Sequence, residues 1–309
     1  MTEAELASYP VDDPHTTVDW SEGGTVLAFL NEVAGGRKLL NAIRERVDAG
    51  AAHVAIAVPQ NQPVAGQIVD VDEIYDAALS RAEVTQKILD EFGIEATASV
   101  LDPDPALALD DAFRAFSPDE ILLSALAESR YGWARKDLIE EAKARFPVPV
   151  EHIPVRIEDD AVRWDVTHTL VVATQTVNAP DLVQRLIDRH KESPHRYTFI
   201  SPRSGDASRE ETCDRLAATL AALYREEIDA TGQPMSPAPY PAIRNAVEHY
   251  RIDDILISTF AGRQSAWIEG GLLDQVAEIT DKPIEHFESR GDGAAPAREP
   301  VGATSGGDA

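Results

Sequence analysis

The sequence predicts an α/β protein built from two tandem, doubly wound parallel sheets of five strands each. Three observations predict this fold class: part of the chain repeats itself, continuous apolar runs recur, and segments with helical periodicity separate those runs. A continuous apolar run such as ILLSAL (121–126) is typical of a strand covered by helices on both faces. The 309 residues are enough for two domains with a core each.

The repeat is clearest when residues 119–153 are aligned without gaps with residues 253–287, at a constant offset of 134. Chance would give about two identities in a window of this length. Ten pairs are identical: Asp119/Asp253, Ile121/Ile255, Leu122/Leu256, Ser124/Ser258, Ala127/Ala261, Trp133/Trp267, Leu138/Leu272, Pro149/Pro283, Glu151/Glu285 and His152/His286. Segments 25–33 and 169–177 correspond more loosely, and the first half has an insertion at about 62–71.

Each half is predicted to alternate strands and helices, which favours a doubly wound sheet. In the first half, strands are predicted near 25–31, 52–58, 95–100, 120–125 and 149–155, with helices near 37–48, 72–92, 105–116 and 134–145. In the second half, strands are predicted near 168–174, 195–201, 232–236, 254–259 and 283–288. The third of these, GQPMS, is poor strand material and is predicted to be degraded.

The domain organisation follows from these elements. An acidic N-terminal arm (1–21) precedes the first domain (22–155), and a charged linker (156–167) leads to the second domain (168–289). The tail (290–309) is rich in Gly, Ala and Pro and is predicted to be disordered.

The charge balance argues against nucleic acid as a partner. With 54 acidic and 28 basic residues, the chain has a formal charge of −26 and would repel a phosphate backbone. An acidic, Lys-poor surface also suits a high-salt cytoplasm, which gives a halophilic hypothesis beside that of an ordinary acidic protein.

The location is predicted to be cytoplasmic, without a membrane partner. No apolar run is long enough to cross a bilayer, and the N-terminus has no signal-peptide pattern. The single cysteine, Cys213, fits a reducing compartment and is predicted to be a half-buried structural thiol.

The residues after the first and fourth strands of each half are the natural place for a ligand. In the second half the fourth strand reads DDILISTFAGR (253–263), and Gly270 and Gly271 open the next helix. This doubled α/β domain resembles the universal stress protein family over residues 22–155 and 166–289. The resemblance implies an adenine nucleotide α hydrolase-like fold with strand order 3-2-1-4-5, two halves packed as an internal pseudo-dimer, and a regulatory or stress-response role.

ATP-binding members of that family carry G-x2-G-x9-G-[ST] after the fourth strand and an Asp at the end of the first. This sequence departs from both features. The motif positions hold Ser258, Ala261, Gly271 and Leu272 in the second half, and Ser124, Ala127, Asp137 and Leu138 in the first. Asn31 and Gln175 stand at or near the place of the Asp. The resemblance therefore argues for the fold more strongly than for ATP binding.

Candidate ligand-binding residues lie in the second half, where ATP or AMP is the candidate ligand. Glycines and a helix N-terminus suit phosphate binding, and the planar fork of a guanidinium can donate to two phosphate oxygens. The candidates are Gln175, Arg203, Ser204, Ser258, Thr259, Gly262, Arg263, Gly270 and Gly271. For residues 201–205 a plain turn is favoured over a phosphate site, and for 258–271 a nucleotide loop and a structural connection stay equally open. The sequence offers no catalytic or metal-binding set.

Two repeated features are candidates for the seam between the halves. Trp133 and Trp267 are predicted to pack there, in preference to stacking on a ligand. The Glu-His pairs at 151–152 and 285–286 either meet across the seam, if the fifth strands pair, or are polar residues of an edge strand.

Three functions remain open from the sequence. The first is a tandem universal stress protein-like regulatory or stress-response module that binds a nucleotide weakly in its second domain. The second is an interaction module without nucleotide binding. The third is a nucleotide-processing α/β enzyme, against which the lack of a positioned nucleophile or acid–base pair weighs. A homo-oligomer is compatible with all three.

Overall fold

The first half forms a five-stranded, all-parallel sheet. The computed structural model describes residues 18–30, 36–60, 71–125, 133–154, 166–203, 207–235, 239–249, 251–262 and 265–291. The strands of the first half are β1 (Thr25–Leu30), β2 (His53–Pro59), β3 (Ala96–Leu101), β4 (Glu120–Ala125) and β5 (Val150–Pro154). Its helices are α1 (Arg37–Ala49), α2 (Val71–Glu91), α3 (Pro105–Phe116) and α4 (Trp133–Arg145), preceded by a 3₁₀ turn at Trp20–Glu22. The strand order is β3-β2-β1-β4-β5.

The second half repeats this topology with the order β8-β7-β6-β9-β10. Its strands are β6 (Thr167–Val172), β7 (His195–Pro202), β8 (Ala230–Met235), β9 (Asp254–Phe260) and β10 (Ile284–Ser289). Its helices are α5 (Pro180–Glu192), α6 (Arg209–Arg225), α7 (Pro239–His249), α8 (Ala266–Glu269) and α9 (Leu272–Ile279). The predicted fold class and strand order are confirmed.

Strand order decides which face of each sheet a helix covers. Connections between parallel strands are right-handed. Helices that connect strands from the middle of the sheet towards one edge therefore cover one face, and helices that connect strands towards the other edge cover the opposite face. In the first half, α1 and α2 therefore cover one face, which we call the inner face, and α3 and α4 cover the outer face. In the second half, α5 and α6 cover the inner face, while α7 and α9 cover the outer face.

The two halves meet through their inner helices. Helix α2 packs directly on α6, and a single hydrophobic cluster runs from the inner face of one sheet to that of the other. It includes Ile56 and Val84 from the first half and Phe199 and Leu216 from the second. Each outer face has a separate cluster of its own. The two halves therefore share one hydrophobic core, and each half also has an outer core of its own.

This seam is not the one that the sequence suggested. Of the two alternatives for the fifth strands, pairing across the seam is wrong: β5 is the edge strand beside β4 in one described sheet, and β10 is the edge strand beside β9 in the other. The side chain of Trp267 packs on the outer core of its own half, and that of Trp133 lies outside the described residues. Cys213 is buried in α6, and burial raises the pKa of its thiol to about 12, so it is protonated at neutral pH.

Ion pairs join the two halves around the shared core. They link groups that are partly exposed to solvent. The pairs are Arg37–Asp229 at 2.8 Å, Lys87–Asp214 at 2.5 Å, Arg203–Asp76 at 3.6 Å, Arg209–Asp76 at 3.5 Å, Arg209–Glu83 at 3.1 Å and Arg225–Glu91 at 2.8 Å.

The repeated aspartates hold neighbouring strands together. The Asp119 carboxylate accepts a hydrogen bond of 2.8 Å from the Thr25 amide, and Asp253 accepts one of 2.9 Å from the His168 amide. In each half this contact anchors the start of the fourth strand to the start of the first. The identity at this position thus reflects framework structure.

The repeated glutamates belong to an ion-pair cluster within each half. Arg46 of α1 contacts Glu120 and Glu151, and the hydrogen bonds that Arg46 donates to the Glu120 carboxylate raise the pKa of Arg46. Arg189 of α5 likewise contacts Asp254 and Glu285. The suggested contacts of Glu151 and Glu285 with His residues across the seam are therefore wrong: each glutamate is bound by an arginine of its own half.

Strand β8 is complete, which corrects the expectation that it is degraded. All six residues pair with β7, and Pro234 is tolerated because β8 is an edge strand of the described sheet. Gly232 is required by close packing: a Cβ there would lie 2.8 Å from the Phe199 Cβ and 3.2 Å from the Leu216 Cδ1. A residue that weakens strand propensity thus makes room for the shared core.

Replacing Gly232 with Ala is expected to destabilise the chain by about 1–3 kcal/mol, since the added methyl group overpacks a buried contact. Urea unfolding would measure the change. Thr231→Ala, at a partly exposed neighbouring position of the same strand, is the control and is expected to cost less than about 1 kcal/mol. Equal effects of the two substitutions would contradict the packing argument.

The predicted arm, linker and tail lie almost entirely outside the described residues, as does most of the insertion near 62–71. The domain boundaries therefore stay a prediction. Within the described part of the chain, no helix combines the length and the apolar character that crossing a membrane would require.

Candidate functional site

The switch point of the second sheet lies between β6 and β9, from which the strand order runs outward in both directions. Ligands of open α/β sheets bind at the carboxyl ends of the strands at such a point, because the loops on either side diverge there. Here the two loops are 173–179, after β6, and the segment after Phe260, of which 261–262 and 265 are described.

The loop after β6 is fastened across this crevice. The Thr176 hydroxyl donates a hydrogen bond of 3.2 Å to the carbonyl oxygen of Ser258 on β9. The Thr219 hydroxyl of α6 donates one of 2.8 Å to the Val177 carbonyl, and the Ala179 amide bonds back to Thr176. The loop is therefore held by β9 on one side and by α6 on the other.

A row of small side chains crosses the inner face beneath this loop. Val172 is paired with Ile200 on β7 and with Ile257 on β9, so one residue further along, Ala173 lies between Ser201 and Ser258. Alternation along the strands points both serines inward, since Phe199 and Leu256 belong to the shared core. With strands about 4.8 Å apart, the two serine Cα atoms lie about 10 Å apart.

Both serine hydroxyls are buried, and neither has a hydrogen-bond partner among the described residues. A buried hydroxyl without a partner is destabilising, and native structures normally supply a water molecule or a ligand atom. The row Ser201–Ala173–Ser258 therefore marks a polar position at the carboxyl edge of the second sheet.

The equivalent row of the first half has a different character. The same register places Leu30 between Val58 and Ser124 there. All three are buried. Leu30 and Val58 are larger and less polar than Ala173 and Ser201, which stand at the same places in the second half. Only the serine of the fourth strand is common to both rows.

The predicted candidates of the β9 region fall into separate environments. Ser258 faces inward, whereas the Thr259 hydroxyl lies on the outer face, 2.8 Å from the Nε2 atom of His286. Gly262 is exposed in the turn after β9, with φ of +70°. Arg263 lies outside the described residues.

Gly270 and Gly271 form the break between α8 and α9. The Gly270 amide donates to the Ala266 carbonyl at 2.9 Å, and the Gly271 amide to the Ile268 carbonyl at 3.0 Å. The Gln275 side chain donates to the Gly270 carbonyl at 2.9 Å. The two amides that a phosphate would use are thus engaged in the helix turn.

The remaining candidates lie on the other side of the switch point. Gln175 is exposed in the loop after β6. Arg203 follows β7 and forms an ion pair with Asp76 of the first half, while Ser204 lies outside the described residues. Ser201 belongs to the segment 201–205, for which the sequence favours a plain turn, and Ala173 is not predicted at all. Strand alternation combined with the register would have identified both as members of the inward row.

Comparisons with known proteins find weak structural similarity only. No protein-family model matches the chain, and no curated protein is significantly similar to it. A universal stress protein from Archaeoglobus fulgidus DSM 4304 is 18% identical, with 86% of this chain and 97% of that chain covered and a TM-score of 0.32. The apo form of LigD from Sphingobium sp. strain SYK-6 is 14% identical, with coverage of 72% and 92% and a TM-score of 0.25. MurG from Acinetobacter baumannii is 14% identical, with 85% of each chain covered and a TM-score of 0.22. The fold assignment accordingly stands on strand order and crossover pattern, which define two tandem α/β units.

Proposed function

We propose that the chain is a cytoplasmic, non-catalytic regulatory module of the universal stress protein type, with units 22–155 and 168–289 joined by a linker at 156–167. In this proposal the second unit binds an adenine nucleotide, ATP or AMP, weakly at its carboxyl edge, and the first unit is a structural partner. The stress-response role is part of the same proposal.

The difference between the two inward rows carries the proposal. The first half closes its carboxyl edge with Leu30 and Val58, whereas the second half has Ala173 and Ser201 at the same places. The two hydroxyl groups without partners in the described protein suit the polar atoms of a base or ribose, whereas the first row has one hydroxyl, that of Ser124. This difference supports a ligand preference for the second unit.

The same hydroxyls favour binding over catalysis. A serine nucleophile needs a base within hydrogen-bond reach, and in the described part of the chain neither Ser201 nor Ser258 has such a partner. The Thr259 hydroxyl does contact His286, but that contact links β9 to β10 on the opposite face of the sheet. The proposal therefore assigns no reaction to this edge.

Equilibrium dialysis of the full chain with labelled ATP, ADP and AMP tests the proposal. Ser258→Ala and Ser201→Val, which introduces the residue type of the first half, are each expected to weaken nucleotide binding about three- to tenfold through the loss of one hydrogen bond. Ser124→Ala, the matched change in the first half, is expected to leave the affinity unchanged.

Other outcomes would redirect the assignment. Absence of binding at millimolar nucleotide would favour an interaction module without nucleotide binding. An equal loss of affinity in Ser124→Ala would show that the serine row of the second half is not the site. Nucleotide turnover that disappears with a single substitution would favour an enzyme.

A further inference from the structure

A single carboxylate at the seam is faced by two arginines from the other half. Asp76, on α2, has one oxygen 3.6 Å from an Nη1 atom of Arg203 and the other 3.5 Å from the Nη1 atom of Arg209. Arg203 follows the end of β7, and Arg209 opens α6. Two cations from separate elements thus converge on one group of the first half.

Arg209 is held in position independently of Asp76. Its Nε atom donates a hydrogen bond of 3.1 Å to Glu83, also on α2. The start of α6 is fixed by a capping box, in which Ser208 and Glu211 each bond the backbone amide of the other. Removal of the Asp76 charge would therefore leave the Arg209 guanidinium in place, with its Nη1 edge available.

The contacts of Asp76 itself are weak. Charge-assisted hydrogen bonds are normally about 2.7–2.9 Å long, so both arginines stand further from Asp76 than a strong pair would. The three side chains are also 33–42% exposed, and ion pairs with that exposure stabilise little. A group with more oxygens and more charge than a carboxylate would satisfy both guanidinium groups better.

We propose that Arg203 and Arg209 form a binding site for a phosphate-bearing ligand, and that Asp76 occupies this site when no ligand is bound. The ligand displaces Asp76 and so weakens one connection between α2 and the second half. This site goes beyond the nucleotide proposal: it lies at the seam and requires neither adenosine nor the serine row.

Calorimetric titration of the full chain with inorganic pyrophosphate, at one fixed ionic strength, tests the proposal. Asp76→Asn removes the competing carboxylate and is expected to tighten pyrophosphate binding about five- to tenfold. Asp214→Asn is the matched control, because Asp214 pairs with Lys87 across the same seam and its loss changes the net charge equally. The control is expected to change affinity less than about twofold.

The arginines provide the second half of the test. Arg203→Gln or Arg209→Gln, each placed in the Asp76→Asn background, is expected to abolish the gain in affinity. Asp76→Ala serves as a second version of the first variant, with circular dichroism to verify folding of each protein. Equal affinities of the Asp76 and Asp214 variants would overturn the proposal, as would a gain that survives both arginine substitutions. Because pyrophosphate carries no adenosine, these outcomes are separable from those of the serine variants with ATP.

Discussion

Replacing Leu216 with Ala is expected to destabilise both halves of the chain at once, by about 2–5 kcal/mol. Leu216 is fully buried on α6 and belongs to the cluster that includes the inner faces of both sheets. Truncation leaves a cavity inside this shared core, and neither half can relax without losing its contact with the other. The two halves should therefore unfold as one cooperative unit.

Tryptophan fluorescence can follow each half separately during urea unfolding. Trp20 reports on the first half and Trp267 on the second, once Trp133 and Trp164 are replaced with Phe. The two midpoints are expected to coincide before and after the Leu216 substitution. Leu107→Ala, at an exposed position of α3, is the control. It should lower the free energy of unfolding reported by either tryptophan by no more than about 0.5–1 kcal/mol. A shift of the Trp267 signal alone would contradict a shared core.

Replacing Arg189 with Met is expected to destabilise the chain by about 2–4 kcal/mol, because it leaves the carboxylates of Asp254 and Glu285 close together without their common cation. The side chain of Asp254 is only 17% exposed, so water screens its charge poorly, whereas Glu285 is 34% exposed and keeps its ion pair with Arg185. The loss is therefore expected to arise mainly at Asp254. The apolar part of the helix contact is largely retained by Met, which isolates the electrostatic loss.

The first half provides an internal replicate of this experiment. Arg46→Met removes the equivalent cation from Glu120 and Glu151 and should give a similar loss of unfolding free energy in urea. Arg114→Met is the control, since Arg114 is 73% exposed and its pair with Asp111 spans one helical turn, with an expected cost below about 1 kcal/mol. A loss no larger than that control would show that the cluster is not structurally important.

The strand order could be predicted because the sequence contains its physical determinants. Continuous apolar strands separated by helices require a parallel sheet covered on both sides, and right-handed crossovers then fix the faces. The ten identities located the equivalent positions but not their partners. Glu151 and Glu285 differ by the offset of 134 that the gap-free alignment uses, so the alignment matched them. Arg46 and Arg189 differ by 143, so the same alignment did not match the arginines that bind these glutamates.

The seam and the site were harder to predict for a different reason. The packing of α2 on α6 joins two apolar helix faces. Other helices of the chain also have an apolar face, so periodicity alone does not reveal which helix packs on which. At the carboxyl edge, Ser258 was identifiable from the motif position, whereas Ala173 and Ser201 gain meaning only from the lateral register. The assignment of Arg203 to Asp76 likewise depends on the association of the halves.

The ion pairs of the seam show what covalent linkage of the two halves permits. When two identical chains associate symmetrically, each must present the same surface, so any acidic group on one side also appears on the other. Here Asp76, Glu83 and Glu91 of α2 are bound by arginines of the second half. The pairs Arg37–Asp229 and Lys87–Asp214 have the opposite polarity, with the cation on the first half. Such a division of charge needs two separately encoded surfaces. At α2 it favours the pairing of unlike halves within one molecule, since two copies of this helix facing each other would bring Asp76, Glu83 and Glu91 close to their own copies.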